Sequence, residues 1–178
     1  MQIQMAGLSA AAELAQFFRR NVTPEYISHS ELQSFRACNA GEWAADIEDV
    51  VRGEISDRLS SDFAAEPKRF VIEGRDEGRL VAMAMLSISR HALVPYGVLE
   101  DLVVDVDQRG RGLGEEMAAW IRDYALALDV RRLFLESGIG NGGAHHFFER
   151  IGFRPVSIVM MMELNRAAST STCPNAKG

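Results

Sequence analysis

The chain has 178 residues, enough for one α/β domain with a full core. Hydrophobic residues make up 47% and charged residues 25%, the proportions of an ordinary globular protein, and a formal net charge of -6 argues against a nucleic-acid partner and an anionic membrane surface. A mildly acidic surface suits a cationic substrate, such as an amine, better than a phosphate polymer.

The two cysteines, Cys38 and Cys173, do not make a disulfide framework. No basic segment followed by an apolar run opens the chain, so no signal peptide is expected. The longest apolar stretch, around residues 80–86, is far too short to span a bilayer. A reducing cytoplasm is the expected location.

Residues 1–5 alternate polar and apolar side chains and predict a short edge strand. Residues 8–20 are alanine-rich with apolar positions at helical spacing. Thr23-Pro24-Glu25 has the order N-cap, first-turn proline, first-turn acid, and Ser30-Glu31 is a further candidate helix start. Trp43, Ile47, Val50, Val51, Ile55 and Leu59 predict a helix over residues 43–59, so the first third is expected to be mainly helical. Phe70-Val71-Ile72 and residues 80–88 predict two strands of a hairpin joined by a glycine-containing turn at residues 73–79. Residues 98–106 predict the next strand.

Leu113, Met117, Trp120, Ile121, Tyr124 and Leu128 then share the stripe of an amphipathic helix. Residues 132–135 predict a strand. Asn141 suits the N-cap of a helix whose face holds Ala144, Phe147, Phe148 and Ile151, with Gly152 as its stop. Residues 156–164 predict a last strand, and the small, polar residues 167–178 predict a disordered tail. A single domain over residues 1–166 is the expected organisation.

The central chemical signal lies between the strand at 98–106 and the helix that follows it. Arg109, Gly110, Arg111, Gly112, Leu113 and Gly114 combine three glycines with two arginines. Glycines let a backbone approach an anion with no Cβ in the way. A helix start supplies N–H groups that have no intrahelical partner, and a partial positive charge. Together they suit a pyrophosphate, with the guanidinium groups adding charge. A plain strand-to-helix turn with solvated arginines is the competing reading. The loop lacks the Lys-Ser/Thr ending of a P-loop and the glycine spacing of a dinucleotide fold.

Arg109-x-x-Gly112-x-Gly114 matches the Gln/Arg-x-x-Gly-x-Gly/Ala motif of the GNAT family of N-acetyltransferases, and the preceding segment from Leu99 to Asp105 resembles that family's fourth strand. Downstream, Asn141-x-x-Ala144-x-x-Phe147-Phe148-x-x-x-Gly152-Phe153 resembles the family's second cofactor motif. The resemblance covers about residues 68–164. It implies a mixed, mostly antiparallel central sheet flanked by helices, an α/β (α+β) fold of the GNAT type. It implies acetyl-CoA as co-substrate and an acyltransferase that acetylates a primary amine, most simply of a small molecule. A homodimer is in keeping with family habit.

The same resemblance assigns residues. The loop 109–114 would hold the pyrophosphate. The sheet would splay after the fourth strand, and the pantetheine arm would bond backbone groups of Leu102, Val103 and Val104, whose side chains can pack in the core at the same time. Asn141 and Phe148 occupy positions of the second cofactor motif, although Asn141 equally suits a helix cap.

Phe148 is a departure, because many family members carry a tyrosine there whose hydroxyl is thought to protonate the leaving thiolate. Glu100 and Asp101 are the candidate general bases, and strand alternation would set them on opposite faces of the sheet. His145 and His146 are weaker candidates that also suit a helix surface. No metal ligand set is recognisable among the four histidines and two cysteines, and no metal is expected. A protein acetyltransferase, or a non-catalytic module that binds acyl-CoA, is the alternative.

Overall fold

A computed structural model of the protein describes residues 1–61 and 65–164. The predicted tail at 167–178 lies outside the described residues. By its contacts the chain divides into two compact units, Met1–Val22 with Glu48–Glu136, and Thr23–Ile47 with the chain from Ser137 onward.

The first unit is built on a five-stranded sheet of β1 (Gln2–Met5), β4 (Lys68–Asp76), β5 (Arg79–Ser89), β6 (Tyr96–Val104) and β7 (Arg132–Leu135). These lie in the order β1-β4-β5-β6-β7. Every pairing is antiparallel except that of β6 with β7. The sheet is therefore mixed and mostly antiparallel, as the sequence predicts. The central strand β5 is a long apolar run, and its Val81 to Leu86 are all buried.

Three helices belong wholly or mainly to this unit: α1 (Ala11–Asn21), α3 (Ile47–Ser60) and α4 (Leu113–Ala127). Of the predicted stripe of α4, Leu113, Met117 and Ile121 are buried, together with Ala125, while Trp120, Tyr124 and Leu128 are half-buried. Fully burying one such large apolar side chain contributes about 1.5–3 kcal/mol. A Cβ on Gly74 of β4 would lie 3.0 Å from Met117 Cε, and Phe70 meets Tyr124 edge-on at 5.3 Å. These two contacts identify the face of the sheet that α4 covers.

The second unit holds α2 (His29–Gln33), a two-stranded ladder of β2 (Ala37–Asn39) and β3 (Glu42–Trp43), and α5 (Gly142–Arg150). The start of α2 is a capping box centred on Ser28, where Glu31 accepts from Ser28 N at 2.8 Å and from Ser28 Oγ at 2.7 Å. Gly138 lies hard against the chain entering this unit. A Cβ there would sit 2.3 Å from the Glu25 carbonyl oxygen and 2.4 Å from that of Ile27, so only glycine fits.

Three expectations are corrected. The helix predicted over 43–59 starts at Ile47, because Trp43 is drawn into the β3 ladder. The segment 8–20 begins with a 3-10 turn at Leu8–Ala10, and the α-helix starts at Ala11. The largest correction concerns the last strand. Residues 154–164 join no ladder among the described residues, and every one of them is exposed. Apolar alternation makes a strand only where neighbouring backbone completes the hydrogen bonds.

Candidate active site

The ladder between β6 and β7 ends at Leu99↔Leu135, while the ladder between β6 and β5 continues to Val104↔Ala82. Beyond Leu99, β6 therefore runs on without β7 as a ladder neighbour. The ladder stops because β7 itself ends at Leu135, and Leu102, Val103 and Val104 lie beyond that last pair.

A β-bulge marks the place. Met85 pairs with Asp101 and Leu86 with Leu99, so Glu100 is the extra residue on β6. The Ser87 hydroxyl donates to the Glu100 carboxylate, which puts Glu100 on the face of Met85 and Ser87. Asp101, directly opposite Met85, takes that same face. Strand alternation alone predicts the two carboxylates on opposite sides. The bulge resets the alternation and brings them together on the face away from α4.

Their surroundings differ. Asp101 is 1% exposed, whereas the Glu100 side chain is 30% exposed. Arg58, near the end of α3, donates to the Glu100 carboxylate from across the layer. Glu100 is thus held from two sides, by a guanidinium and a hydroxyl, with part of its surface still open. The remaining terminal nitrogen of Arg58, Nη1, is buried with no hydrogen-bond partner among the described residues.

After β6 the chain makes a 3-10 turn, Val106–Gln108, and then enters α4. Gly112 is the N-cap of α4 with φ 81°, a left-handed conformation that favours glycine. Gly110 has φ 77°. No side chain caps the helix, and a Cβ at Gly110 or Gly112 would meet nothing within 4 Å. The N–H groups of Leu113 and Gly114 in the first turn need acceptors from outside the helix ladder. An open, uncapped helix start beside a bare backbone fits the pyrophosphate of a CoA molecule.

The arginines behave differently from expectation. Arg109 Nη2 donates to the Asn21 carbonyl oxygen at 2.8 Å, at the end of α1. Arg111 donates to Gln108 and lies 3.9 Å from Asp76. Both guanidinium groups brace the loop.

Two residues that the sequence did not single out complete the brace. Asn21 is buried, and its Oδ1 accepts from Val106 N at 2.8 Å. Asp105 is buried, accepts from Asp107 N at 3.0 Å and from Arg79 Nη2 at 2.8 Å, and lies 3.7 Å from Arg20. Burial pushes the Asp105 carboxyl up, but the Asp107 amide and the two arginines outweigh it and hold it below its ordinary value. The weak sequence signal for Asn21 is an asparagine at a helix end, where its side chain can bond local backbone, as it does to the Phe17 carbonyl oxygen at 2.9 Å.

In the second unit, Asn141 caps α5 as predicted, its Oδ1 accepting from Ala144 N at 3.2 Å. Phe148 packs edge-on against Phe147 at 5.0 Å and Phe153 at 5.7 Å. His145 is half-buried and His146 exposed on the same helix.

The acetyltransferase (GNAT) family model matches residues 24–153. The chain belongs to the GNAT family and is an enzyme of it, an acetyl-CoA-dependent N-acetyltransferase. No curated protein matches the sequence.

Among solved structures, a mutant of the BH1408 protein from Bacillus halodurans is similar at 20% identity, with 93% of this chain and 100% of that one covered and a TM-score of 0.68. The aminoglycoside antibiotic 6'-N-acetyltransferase AAC(6')-Ig from Acinetobacter haemolyticus is similar at 15% identity, covering 93% of this chain and 99% of that one, TM-score 0.67. The aminoglycoside N-acetyltransferase AAC(6')-Iy, solved in complex with CoA, is similar at 15% identity, covering 93% and 95%, TM-score 0.65. At these identities the likeness shows the fold.

Proposed function

We propose that the protein moves the acetyl group of acetyl-CoA onto a primary amine of a small molecule, with Glu100 as general base. The observation that carries this reading is one juxtaposition within the first unit. The uncapped start of α4, the stretch of β6 beyond its last β7 partner, and a clamped, partly open carboxylate follow one another along a single strand and its exit loop.

Acetyl-CoA supplies the activated acyl group, and this chain supplies position and proton transfer. Backbone N–H groups at the start of α4 hold the pyrophosphate. Backbone groups of the Leu102–Val104 stretch hold the pantetheine arm, and the N–H of Val104, which strand alternation turns away from β5, stabilises negative charge on the acetyl oxygen. A lysine-like amine has a pKa near 10.4, so roughly one in a few thousand is neutral at pH 7. Glu100 accepts a proton from the ammonium, directly or through a water. The neutral nitrogen then attacks the thioester carbonyl, the C–S bond breaks to release CoA as a thiolate, and the second proton of the nitrogen passes to solvent or to the thiolate as the amide forms.

Glu100 is preferred to Asp101 because substrate or water can reach it, while Asp101 is closed off. Arg58 positions Glu100. The leaving group is a thiolate, with a pKa of about 8.5 by analogy with cysteine, so it departs tolerably without a side-chain acid. A phenylalanine at position 148 is compatible with turnover.

The aminoglycoside acetyltransferases of similar fold support a small polyamine-like acceptor, as does the net charge of -6. A screen of small primary amines with acetyl-CoA, read by thiol release, tests the reading. Amine-dependent CoA release is the expected result. Tight acetyl-CoA binding with no release for any amine would leave only a binding module.

A further inference from the structure

The face of the sheet that carries Glu100 continues beyond it as an apolar and aromatic floor. Ser87, which donates to the Glu100 carboxylate, is the ladder partner of Val98, and Val98 is the ladder partner of Phe134. Ladder partners share a face, so Val98 and Phe134 stand on the side of Glu100. Tyr96, two residues before Val98, takes that side as well, and its ring meets Phe134 edge-on at 5.8 Å. Every one of these residues belongs to the first unit. Phe134 is 38% exposed, so the strands and helices of its own unit leave part of the ring bare.

The spacing is that of a small acceptor. Glu100 lies two residues along β6 from Val98, about 6.7 Å, and Phe134 lies one strand across, about 4.8 Å, so their backbone positions are roughly 8 Å apart. Both side chains stand up from the sheet. A hydrogen bond from an amine to Glu100 takes about 2.8 Å of that span and leaves roughly 5 Å, room for an arm of one or two carbons and half of a ring. Charge on the same face discriminates further. Arg132, the ladder partner of Tyr96, and Arg69, the ladder partner of Ser87, are both exposed there. Their guanidinium groups repel a second ammonium laid along the floor, which disfavours an open-chain diamine and leaves an apolar ring unaffected.

We infer that Tyr96 and Phe134 select the acceptor. The reacting amine sits on an arm of one or two carbons from a ring, and the apolar face of that ring packs on the Tyr96–Phe134 pair while the amine reaches Glu100. The inference rests on the reading of Glu100 as general base and narrows the acceptor within it. Pockets for small ligands combine an apolar, aromatic lining with a few placed polar groups, and this floor with its clamped carboxylate has that composition. Further amino groups of such an acceptor belong on the ring edge turned to solvent.

The test measures steady-state CoA release by the full chain with acetyl-CoA and four amines: 2-phenylethylamine, 6-amino-6-deoxyglucose, n-butylamine and 1,4-diaminobutane. At least one ring amine should exceed both open-chain amines in kcat/KM by about tenfold or more. The two ring amines, compared with each other, tell a flat aromatic ring from a saturated sugar ring. Phe134→Leu, which keeps an apolar residue on β7 and removes the flat ring, should lower the ring preference by about fivefold or more, mainly through the KM of the ring amine. Tyr96→Leu should act in the same direction. Circular dichroism and the affinity for acetyl-CoA check that each variant is folded. Equal or greater kcat/KM for the open-chain amines overturns the inference and leaves Glu100 as base untouched, and so does a ring preference that both variants retain. No release with any amine overturns it together with the reading on which it rests.

Discussion

Arg58 and Glu100, separated by 42 positions in sequence, form an ion pair between the end of α3 and the bulge of β6. Ser87 on β5 completes the clamp. The pair fixes the one partly open carboxylate on the bulge while leaving its buried neighbour Asp101 to the interior.

Glu100→Gln should lower kcat/KM by about 10²–10⁴ at neutral pH, the usual contribution of a general base. The loss should shrink as pH rises toward the amine's own pKa, where unassisted deprotonation suffices. Asp101→Asn should act mainly on stability and leave the shape of the pH–rate profile alone. Arg58→Met should reduce kcat with KM little changed. A pH-independent loss in Glu100→Gln would assign it a structural role.

Phe148 is a packing residue in this scheme. Phe148→Leu, which keeps an apolar side chain against Phe147 and Phe153, should retain most of the native rate. Phe148→Tyr should gain little, and a hydroxyl buried without a partner would cost about 1–3 kcal/mol in thermal or urea unfolding. A tenfold or larger gain of activity in Phe148→Tyr would show that catalysis lacks an acid that the phenylalanine displaced.

Asp105 links loop geometry to pH. Its folded-state carboxyl titrates below its ordinary value. Its contribution to stability is therefore fully present above the unfolded pKa of about 3.9, and is lost as pH falls through the lower folded value. Asp105→Asn should destabilise the protein by about 1.5–3 kcal/mol at pH 7, the range for hydrogen bonds to a charged group. The difference from the native protein should close as pH drops below about 4. Urea unfolding of both proteins between pH 2 and pH 7 gives the comparison, and a constant difference across that range would contradict the assignment.

Local features were legible in the sequence and non-local ones were not. The glycine loop, the stripe of α4, the short strand 132–135 and the Asn141 cap each depend on neighbours within a few positions, so spacing reveals them. The bulge at Glu100 exists only relative to β5, and no property of β6 alone predicts which residue is extra. The partners of the arginines are equally remote, since Arg109 reaches back 88 positions to Asn21. Residues 156–164 show the converse case. Their periodicity predicts a strand, but a strand also needs a ladder, and the described residues do not supply it.

The anion site at the start of α4 is tested most directly by calorimetric titration of acetyl-CoA into the native protein and Gly112→Val. Valine at φ 81° is strained, and its branched side chain would project into the open space beside the uncapped helix start. The native protein should bind acetyl-CoA with micromolar affinity. A folded Gly112→Val variant, verified by circular dichroism, should bind more than tenfold more weakly, a difference of about 1.4 kcal/mol or more. Equal affinity in the two folded proteins would contradict placement of the pyrophosphate at this loop.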